Sequence, residues 1–233
     1  MEHISKNQIK LIRSLQQKKF RDETGLFVAE GEKCVEELRK AFELVMLVNR
    51  DNASEREIEQ MSSLRTPQAV IGVFRQRPAT GNPTTCNRLI LALDGVQDPG
   101  NLGTIIRTAD WFGVDHIVCS KDTADCYNPK VVQATMGSLA RVQIHYVDLV
   151  QWIQNQEDTP VYGTLLDGKN IYETKLTDHG IIVMGNEGNG ISPEVRPLIT
   201  HPLLIPSYRA DDHAESLNVA IATAVTIAEF RRV

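Results

Sequence analysis

Apolar positions recur along this chain with two spacings that alternate from one segment to the next. In SKNQIKLIRSLQQKKF, the apolar residues Ile9, Ile12 and Leu15 fall three positions apart, which places them on one face of a helix. Ser5 and Gln8 predict a capping box at the start of this helix. Short apolar runs instead predict strands over LFVAEG, ELVMLV and AVIGVF. With helices predicted for EKCVEELRKAF and SEREIEQMS, this part of the chain is predicted to be a small α/β domain.

The later part of the chain repeats the alternation. RLILALD is almost continuously apolar, as expected of a strand that is buried on both faces of a sheet. Further strands are predicted over HIVCS, QIHYV, VYGTLLD, IIVMG and PLLIP, with helices between them and over SLNVAIATAVTIAEFRR. In NLGTIIRTADWFG, Ile105, Ile106 and Ala109 are expected to face inward. This order predicts an α/β fold in which helices cover both faces of a parallel sheet.

A linker separates the two parts. RQRPATGNPTTCN contains prolines, a glycine and threonines but has no apolar periodicity. We therefore predict an N-terminal domain over residues 1–75, a linker over residues 76–87 and a second domain over residues 88–233.

Composition excludes several classes of protein. Of the 233 residues, 42% are hydrophobic and 24% are charged, which is ordinary for a globular protein. The net charge of −5 excludes a global basic field that would attract nucleic acid. Neither a signal peptide nor a membrane-spanning stretch is recognisable, so we expect a soluble, cytoplasmic protein. The cysteines lack metal-ligand spacing and predict reduced thiols; they are Cys34, Cys86, Cys119 and Cys126.

Basic residues are nonetheless concentrated near the N-terminus, where Glu2 is the only acidic residue before Asp22. On a helix they form either a solvated face or a surface that contacts RNA phosphates. The choice depends on what the second domain does. The candidates for phosphate contacts are Lys6, Lys10, Arg13, Lys18, Lys19 and Arg21.

Glycine-rich and polar segments follow three strands of the second domain. They are LDGVQDPGNLGTIIRTAD, MGNEGNGIS and IPSYRADDHAESLNVA. Ligands of open parallel sheets bind at the carboxyl ends of strands. The GxGxxG pattern of a dinucleotide site is missing, which argues against a small dehydrogenase, and so is the GxxxxGKS/T pattern of a P-loop. The glycines are therefore expected to serve another ligand.

These segments resemble the three signature motifs of the SpoU (TrmH-type) RNA 2'-O-ribose methyltransferases, within the SPOUT superfamily. The matching stretches are DPGNLGTIIRTADWFGV, IVMGNEGNGIS and ESLNVAIATAVTIAEF, in the order of the family. In addition, SKNQIKLIRSLQQKKFRDETGLFVAEGEKCVEELRK resembles the substrate-binding domain of many members, which is similar to a ribosomal RNA-binding module. The resemblance therefore covers nearly the whole chain.

The resemblance implies a fold that apolar patterns do not predict. SPOUT domains thread their C-terminal segment through a loop and form a deep trefoil knot, which ordinary connection rules exclude. The methyl donor, S-adenosylmethionine, is expected to bind in the knot, largely through backbone groups. Glycines suit a loop that passes close to such a ligand. The residues implied in the donor pocket are Gly185, Gly190, Ile205 and Leu217, flanked by Thr164, Leu165 and Leu166.

The resemblance also implies a set of catalytic residues, which are Asn101, Arg107, Glu187, Ser216 and Asn218. Arg107 is expected to bind the phosphate and ribose of the substrate, because a guanidinium with a pKa above about 12 is a poor base unless a bound phosphate assists it. Glu187, Ser216 and Asn218 are expected to orient Arg107 and one another. A surface ion pair of Arg107 with Asp110 or Glu215 is the alternative. No metal is expected, since the methyl group of a sulfonium is already activated.

The expected function is S-adenosylmethionine-dependent methylation of a ribose 2'-hydroxyl in structured RNA. Ribosomal RNA is expected rather than tRNA because of the N-terminal resemblance. A tRNA ribose methyltransferase and a homologue that binds RNA without catalysis are the alternatives.

Family members of this kind are homodimers through the knotted domain. SLNVAIATAVTIAEF carries more apolar surface than one helix face can bury within a monomer. We therefore expect a homodimer, with Trp111 and Phe112 in the core or at the dimer interface.

One segment departs from the family pattern. IPSYRADDHAESLN has Ser207 in place of the usual methionine, and it is a few residues longer than expected. It is either a solvated loop or a loop that orders over the active site, with Arg209 on an RNA phosphate. His213 is a further candidate for proton removal, because the pKa of a histidine suits that task.

Overall fold

The computed structural model describes residues 3–78, 83–85, 87–209 and 216–232. Its contacts divide the chain into two compact units. The first unit comprises Met1–Ala79 and Asp125–Arg141, and the second comprises Thr80–Ala124 and Val142–Val233. The predicted division is linear, and no feature of the sequence predicts that a segment from within residues 88–233 packs with the N-terminal residues.

Every strand predicted from an apolar run is confirmed. The helices are α1 (Lys6–Ser14), α2 (Lys18–Thr24), α3 (Glu32–Arg39), α4 (Glu55–Met61), α5 (Pro99–Trp111), α6 (Pro129–Thr135), α7 (Leu149–Gln154) and α8 (Val219–Phe230). The strands are β1 (Leu26–Glu30), β2 (Leu44–Val48), β3 (Ile71–Arg75), β4 (Leu89–Leu93), β5 (His116–Ser120), β6 (Gln143–Val147), β7 (Val161–Asn170), β8 (Gly180–Met184) and β9 (His201–Leu204). Short 3₁₀ turns lie at Ser138–Ala140, Ile171–Glu173 and Arg196–Leu198.

The prediction of one continuous helix over SKNQIKLIRSLQQKKF is wrong, because the chain breaks into α1 and α2 near Leu15. At the break, the guanidinium of Arg21 donates hydrogen bonds to the carbonyl oxygens of Leu15 and Gln16, at 2.9 and 3.0 Å. These carbonyls are therefore satisfied without a continuing helix. The predicted capping box is confirmed: Ser5 N donates to Gln8 Oε1 at 2.8 Å, and Gln8 N donates to Ser5 Oγ at 3.3 Å.

The first unit is built on an antiparallel sheet in the order β1-β3-β2. The segment Asp125–Arg141 packs against β1 and α3 of this unit. The ring centroid of Tyr127 lies 4.7 Å from that of Phe27, and Arg141 forms an ion pair with Glu37 at 2.6 Å. The returning segment is therefore an integral part of the first unit.

The second unit contains an all-parallel, six-stranded sheet in the order β6-β5-β4-β8-β7-β9. Successive residues of β4 point to opposite faces of this sheet. Ile90 and Ala92 pack in one cluster with Trp152 of α7, while Leu91 and Leu93 are buried on the other face. The predicted parallel sheet, buried on both faces, is confirmed.

Helices α5 and α8 lie side by side in the second unit. Near their C-terminal ends, the guanidinium of Arg231 donates to the carbonyl oxygens of Phe112 and Gly113, both at 3.1 Å. Trp111, on the outer face of α5, is 85% exposed, which excludes the core as its place. The inward face of α5 is buried as predicted, through Ile105, Ile106 and Ala109.

Candidate active site

The candidate site lies at the carboxyl ends of β4 and β8, which are adjacent and parallel. We refer to the segments that follow them as the β4 loop (residues 94–98) and the β8 loop (residues 185–192). Two hydrogen bonds join these loops close to the strands. Asp94 N donates to Met184 O at 2.9 Å, and Ser192 N donates to Asp94 Oδ2 at 2.7 Å. The segments that carry the first and second motifs therefore share one edge of the sheet.

The glycines of the β8 loop are required by the loop itself. Asn186 and Gly190 exchange two backbone hydrogen bonds, at 2.8 and 2.9 Å, which close a tight turn. A Cβ atom at Gly185 would lie 2.2 Å from the carbonyl carbon of Gly190, so no larger residue fits. Gly190 has a φ of +69°, which L side chains rarely adopt. The expected role of these glycines in the donor pocket stays a prediction, because the turn explains them by itself.

Glu187 lies in this turn and accepts hydrogen bonds from the start of α5. Its Oε1 accepts from Asn101 Nδ2 at 3.0 Å and from the backbone N–H of Asp98 at 3.3 Å. Its Oε2 accepts from the backbone N–H of Gln97 at 3.4 Å. Partial burial raises the pKa of Glu187, but these hydrogen bonds more than offset it and hold the pKa below its usual range. The side chain is therefore a carboxylate held at a helix N-terminus.

Asn101 connects Glu187 to the third motif. Its Nδ2 donates to Glu187, and its Oδ1 accepts a hydrogen bond from Asn218 Nδ2 at 2.9 Å. Because a carboxylate only accepts hydrogen bonds, only this orientation of the Asn101 amide satisfies both partners. Asn218 also caps α8, since its Oδ1 accepts from the N–H groups of Ala220 and Ile221 at 2.9 and 3.2 Å. The structure thus brings three predicted residues together in one hydrogen-bonded chain.

Arg107 and Ser216 do not take part in this series of hydrogen bonds. Arg107 is exposed on α5 and makes no hydrogen bond or ion pair with another residue that the structure describes. An ion pair with Asp110 is therefore absent, and Glu215 lies outside the described residues. Ser216 is exposed, and its side chain has no hydrogen-bond partner within the described ranges. The site consequently contains a hydrogen-bonded series of one carboxylate and two amides. It also contains an exposed guanidinium, that of Arg107, on the same helix as Asn101.

The candidates for the donor pocket belong to β7, the end of β9 and the start of α8. Leu165 packs against the hydrophobic core, whereas its neighbour Leu166 is 79% exposed. Leu217 is 51% exposed, and Thr164 and Ile205 are half-buried. Of the two leucines in β7, Leu166 is therefore the one that is open to a ligand.

Three of the predicted RNA-binding residues form a stripe without acidic partners. Lys6, Lys10 and Arg13 are exposed at helical spacing on α1, and none of them forms an ion pair among the described residues. Lys18 and Lys19 are also exposed, but each has an acidic partner one turn later in α2, at 2.8 and 3.9 Å. Among the predicted RNA-binding residues of the first unit, the unpaired positive charge is therefore on α1.

The prediction that Arg21 contacts RNA is wrong. Arg21 is 1% exposed, and its Nε and Nη2 donate to Asp125 Oδ2 at 3.1 and 2.6 Å. The positive charge and the hydrogen-bond donors of its guanidinium are therefore already paired within the first unit. Arg209 is exposed, as its predicted role requires, and His213 lies outside the described residues.

Asn186 and Asp94 belong to the site although no sequence pattern singles them out. Asp94 is buried and holds the far end of the β8 loop through Ser192. Asn186 Nδ2 donates to the carbonyl oxygen of Gly95 at 2.7 Å, which joins the two loops a second time. The available signal was an asparagine beside the motif glutamate in a glycine-rich turn, where such a side chain often bonds the backbone.

Among the described residues, no group of three or more His, Cys, Asp or Glu side chains is arranged to hold a metal ion. The helices that these residues form are all too short or too polar to cross a membrane.

Comparisons with known proteins agree with this geometry. Residues 88–228 match the SpoU rRNA Methylase family, and residues 6–61 match the MRM3-like substrate binding domain. The 23S rRNA (guanosine(2553)-2'-O)-methyltransferase RlmP of Bacillus subtilis is 33% identical, over 97% of this chain and 97% of that protein.

Several solved structures are similar over nearly the full chain. A putative RNA methyltransferase of the TrmH family from Porphyromonas gingivalis is 41% identical, with a TM-score of 0.90 and coverage of 98% of both chains. An AdoMet-bound rRNA methyltransferase from Sinorhizobium meliloti is 32% identical, with a TM-score of 0.87 over 100% of this chain and 97% of that chain.

The predicted family and fold class and the predicted RNA methyltransferase activity are confirmed by these similarities. The three residues that the hydrogen bonds connect, Asn101, Glu187 and Asn218, fall within the matched residues 88–228. The chain therefore belongs to the SpoU rRNA methylase family and is a TrmH-type RNA methyltransferase.

Proposed function

We propose that this protein transfers the methyl group of S-adenosylmethionine to a ribose 2'-hydroxyl of ribosomal RNA. The observation that carries the proposal is the hydrogen-bonded series Glu187–Asn101–Asn218, which links all three motifs. Arg107 is exposed on the same helix as Asn101. A similar relative named as a 23S rRNA 2'-O-methyltransferase and an AdoMet-bound rRNA methyltransferase of similar structure support the substrate and the donor.

We propose that some residues of the site align the substrate and that others bind its negative charge. S-adenosylmethionine supplies an activated methyl group when it is bound, so the protein must align the 2'-oxygen and assist loss of its proton. Arg107 binds the phosphate next to the acceptor ribose, because its guanidinium is exposed and can make paired hydrogen bonds to an anion. Glu187 holds Asn101, and Asn101 holds Asn218, so these three side chains are held relative to one another before RNA arrives. Ser216 is proposed to contact the ribose.

The described residues fit a donor with an apolar, aromatic base. Leu166 and Leu217 are large apolar side chains that are more than half exposed, at 79% and 51%. Together with the half-buried Ile205, they provide surface that an adenine would cover. Thr164, Gly185 and Gly190 are proposed to supply backbone contacts to the rest of the donor. The knotted path stays a proposal, which is supported by the membership of the chain in the SpoU family.

The first unit is proposed to bind the RNA. The match of residues 6–61 to a substrate-binding domain and the exposed stripe Lys6, Lys10 and Arg13 support this role. Ribosomal RNA is favoured over tRNA by the name of the full-length relative. The cytoplasm is the proposed location, since the substrate is there.

We also propose that the protein is a homodimer through α5 and α8. Trp111 and Ile221 are 85% and 53% exposed on these neighbouring helices, and a second copy would cover them. Light scattering at micromolar concentration would detect the dimer, and a monomer that keeps full activity would contradict it.

Methyl transfer to purified RNA tests the proposed function. We expect the protein and S-adenosylmethionine to methylate ribosomal RNA from a deletion strain, at one ribose, without added metal. Mapping of 2'-O-methyl marks would identify the nucleotide. Transfer to tRNA alone would favour the alternative substrate, and binding of RNA without transfer would indicate a catalytically silent homologue.

A further inference from the structure

Asn186 makes three side-chain hydrogen bonds that set the shape of the β8 loop. Its Oδ1 accepts from the backbone N–H groups of Gly188 and Asn189, at 2.9 and 3.0 Å, which folds the turn around Glu187. Its Nδ2 donates to the carbonyl oxygen of Gly95 at 2.7 Å, which ties this turn to the β4 loop. One amide therefore shapes the turn and fixes its place.

The acceptor of this bond is itself held from the other side. The N–H of Gly95 donates to Ser120 Oγ at the end of β5, at 2.8 Å, and Ser120 Oγ donates to Asp122 Oδ1 at 2.6 Å. A Cβ at Gly95 would lie 3.1 Å from Asp122 Oδ2 and 3.7 Å from the Cβ of Asn186. The carbonyl oxygen of Gly95, which accepts the hydrogen bond of Asn186, thus belongs to a residue that is bonded on both sides. Its partners lie at the end of β5 and just after β8, the two strands that flank β4.

We propose that Asn186 is a positioning residue for methyl transfer, which holds the carboxylate of Glu187 against Asn101 and the start of α5. The proposal rests on the catalytic role proposed for Glu187. Glu187 directly follows Asn186, and its bonds to the N–H groups of Gln97 and Asp98 are long, at 3.4 and 3.3 Å. Bonds of this length tolerate little further displacement. Without its link to Gly95, the turn would still be closed, but the carboxylate would be held against Asn101 and the start of α5 by its own hydrogen bonds alone.

The link is separable from the stability of the sheet. Strands β4 and β8 pair along their full length, and Asp94 holds the far end of the β8 loop through Ser192. Asn186→Asp keeps an oxygen that accepts from Gly188 and Asn189 but removes the donor to Gly95. The variant should therefore keep the sheet and the turn, while repulsion between its second carboxylate oxygen and the carbonyl oxygen of Gly95 opens the connection between the loops.

Asn189 provides a matched control in the same turn. Its side chain is exposed and makes no hydrogen bond to any residue within the described ranges. Asn189→Asp adds the same negative charge two residues after Glu187, whereas Asn186→Asp adds it one residue before. We expect Asn186→Asp to lower kcat by about 10- to 100-fold, as small misplacements in an active site do, with KM values and donor affinity near those of the parent. Asn189→Asp should react at the parent rate.

A double-mutant cycle shows whether Asn186 acts through Glu187. Glu187→Gln should be impaired, and adding Asn186→Asp to it should cause little further loss, because the carboxylate to be positioned is already gone. Losses that multiply would show that Asn186 acts independently and would overturn the proposal. A donor dissociation constant that rises by the same factor as kcat/KM falls would overturn it as well, since Asn186 would then serve the donor pocket.

The two proposals fail in distinguishable ways. If Glu187→Gln keeps full activity, the proposed role of Glu187 is wrong. If Glu187→Gln is impaired but Asn186→Asp is not, only the positioning role of Asn186 is wrong. Circular dichroism melting identifies a folding defect, and Asn186→Ser then replaces Asn186→Asp, because its hydroxyl can bond the turn but cannot reach Gly95.

Discussion

Arg21 and Arg107 carry the same charge, and sequence patterns assign both of them to RNA, yet their surroundings are opposite. Arg21 is buried, with its guanidinium bonded to Asp125 and to the carbonyl oxygens of the α1–α2 break. Arg107 is exposed and makes no hydrogen bond or ion pair with any other described residue. The protein itself accepts the hydrogen bonds of the Arg21 guanidinium, whereas the guanidinium of Arg107 is open to a ligand.

The two residues differ in whether the protein itself already provides partners for the guanidinium. We expect an exposed basic side chain without an acidic partner to contribute more to RNA binding than a paired one. The same difference separates Lys6 and Lys10 of α1 from Lys18 and Lys19 of α2, which have acidic partners.

Replacing Arg107 should have the largest effect on activity. We expect Arg107→Ala to lower the rate of methyl transfer by about 10³-fold, because the variant has no positive charge to place beside the reacting ribose. Donor affinity, measured by calorimetry, and the melting temperature should stay unchanged, since Arg107 makes no hydrogen bond or ion pair with another described residue. Equal losses of donor binding and activity would move Arg107 to the donor pocket.

Replacing Arg21 should affect stability rather than chemistry. Arg21→Ala leaves the largely buried Asp125 without its partner, which we expect to cost about 3 kcal/mol in the free energy of unfolding. Urea denaturation measures this cost. Arg39→Ala is the control, because Arg39 forms an exposed ion pair with Glu36 and should cost under about 0.5 kcal/mol. A stable Arg21→Ala with weakened RNA affinity would instead restore the interpretation of Arg21 as an RNA contact.

Two variants of Asn218 separate its capping bond from its bond to Asn101. Asn218→Asp keeps the oxygen that caps α8 but loses the Nδ2 donor, so we expect about 10- to 100-fold slower transfer at nearly unchanged stability. Asn218→Ala should lose the cap as well, at a further cost of about 1 kcal/mol in stability. If the aspartate variant is fully active, the hydrogen-bonded chain is not needed for catalysis.

Removing charges from α1 and from α2 should have the smallest and most selective effect. Lys6→Gln with Lys10→Gln should flatten the dependence of log Kd on log salt concentration by about 0.7 to 0.9 for each RNA phosphate that the variant no longer neutralises. Lys18→Gln with Lys19→Gln should change this slope less, because both lysines are paired. Filter binding at several salt concentrations measures both slopes, and equal slopes would remove the distinction between the two helices.

The apolar pattern predicted the strands well, because each strand contains a short apolar run that is continuous in sequence. It could not predict the break between α1 and α2, since the break depends on the buried guanidinium of Arg21. The partner of Arg21, Asp125, is 104 residues away, and no local pattern records such a contact.

The side chains that belong to the motifs could be assigned to the site from the sequence. Contacts to backbone atoms could not be predicted in this way. Asn101, Glu187 and Asn218 come from three motifs, and the structure joins them directly. Asn186 acts on the carbonyl oxygen of Gly95, which any residue in that conformation would provide. Gly185 was expected to make room for a donor, but its own turn already requires a glycine.

The segment Asp125–Arg141 limits how this protein can be re-engineered or recombined. This segment lies between β5 and β6 in the sequence but belongs to the first unit. The first unit is therefore not continuous in sequence. Cutting the chain at residue 75 would strip α6 of the strand it packs on and expose its buried Val131 and Val132. A chimera that exchanges RNA specificity between relatives must therefore transplant residues 3–78 together with Asp125–Arg141, with crossovers at both ends of the returning segment.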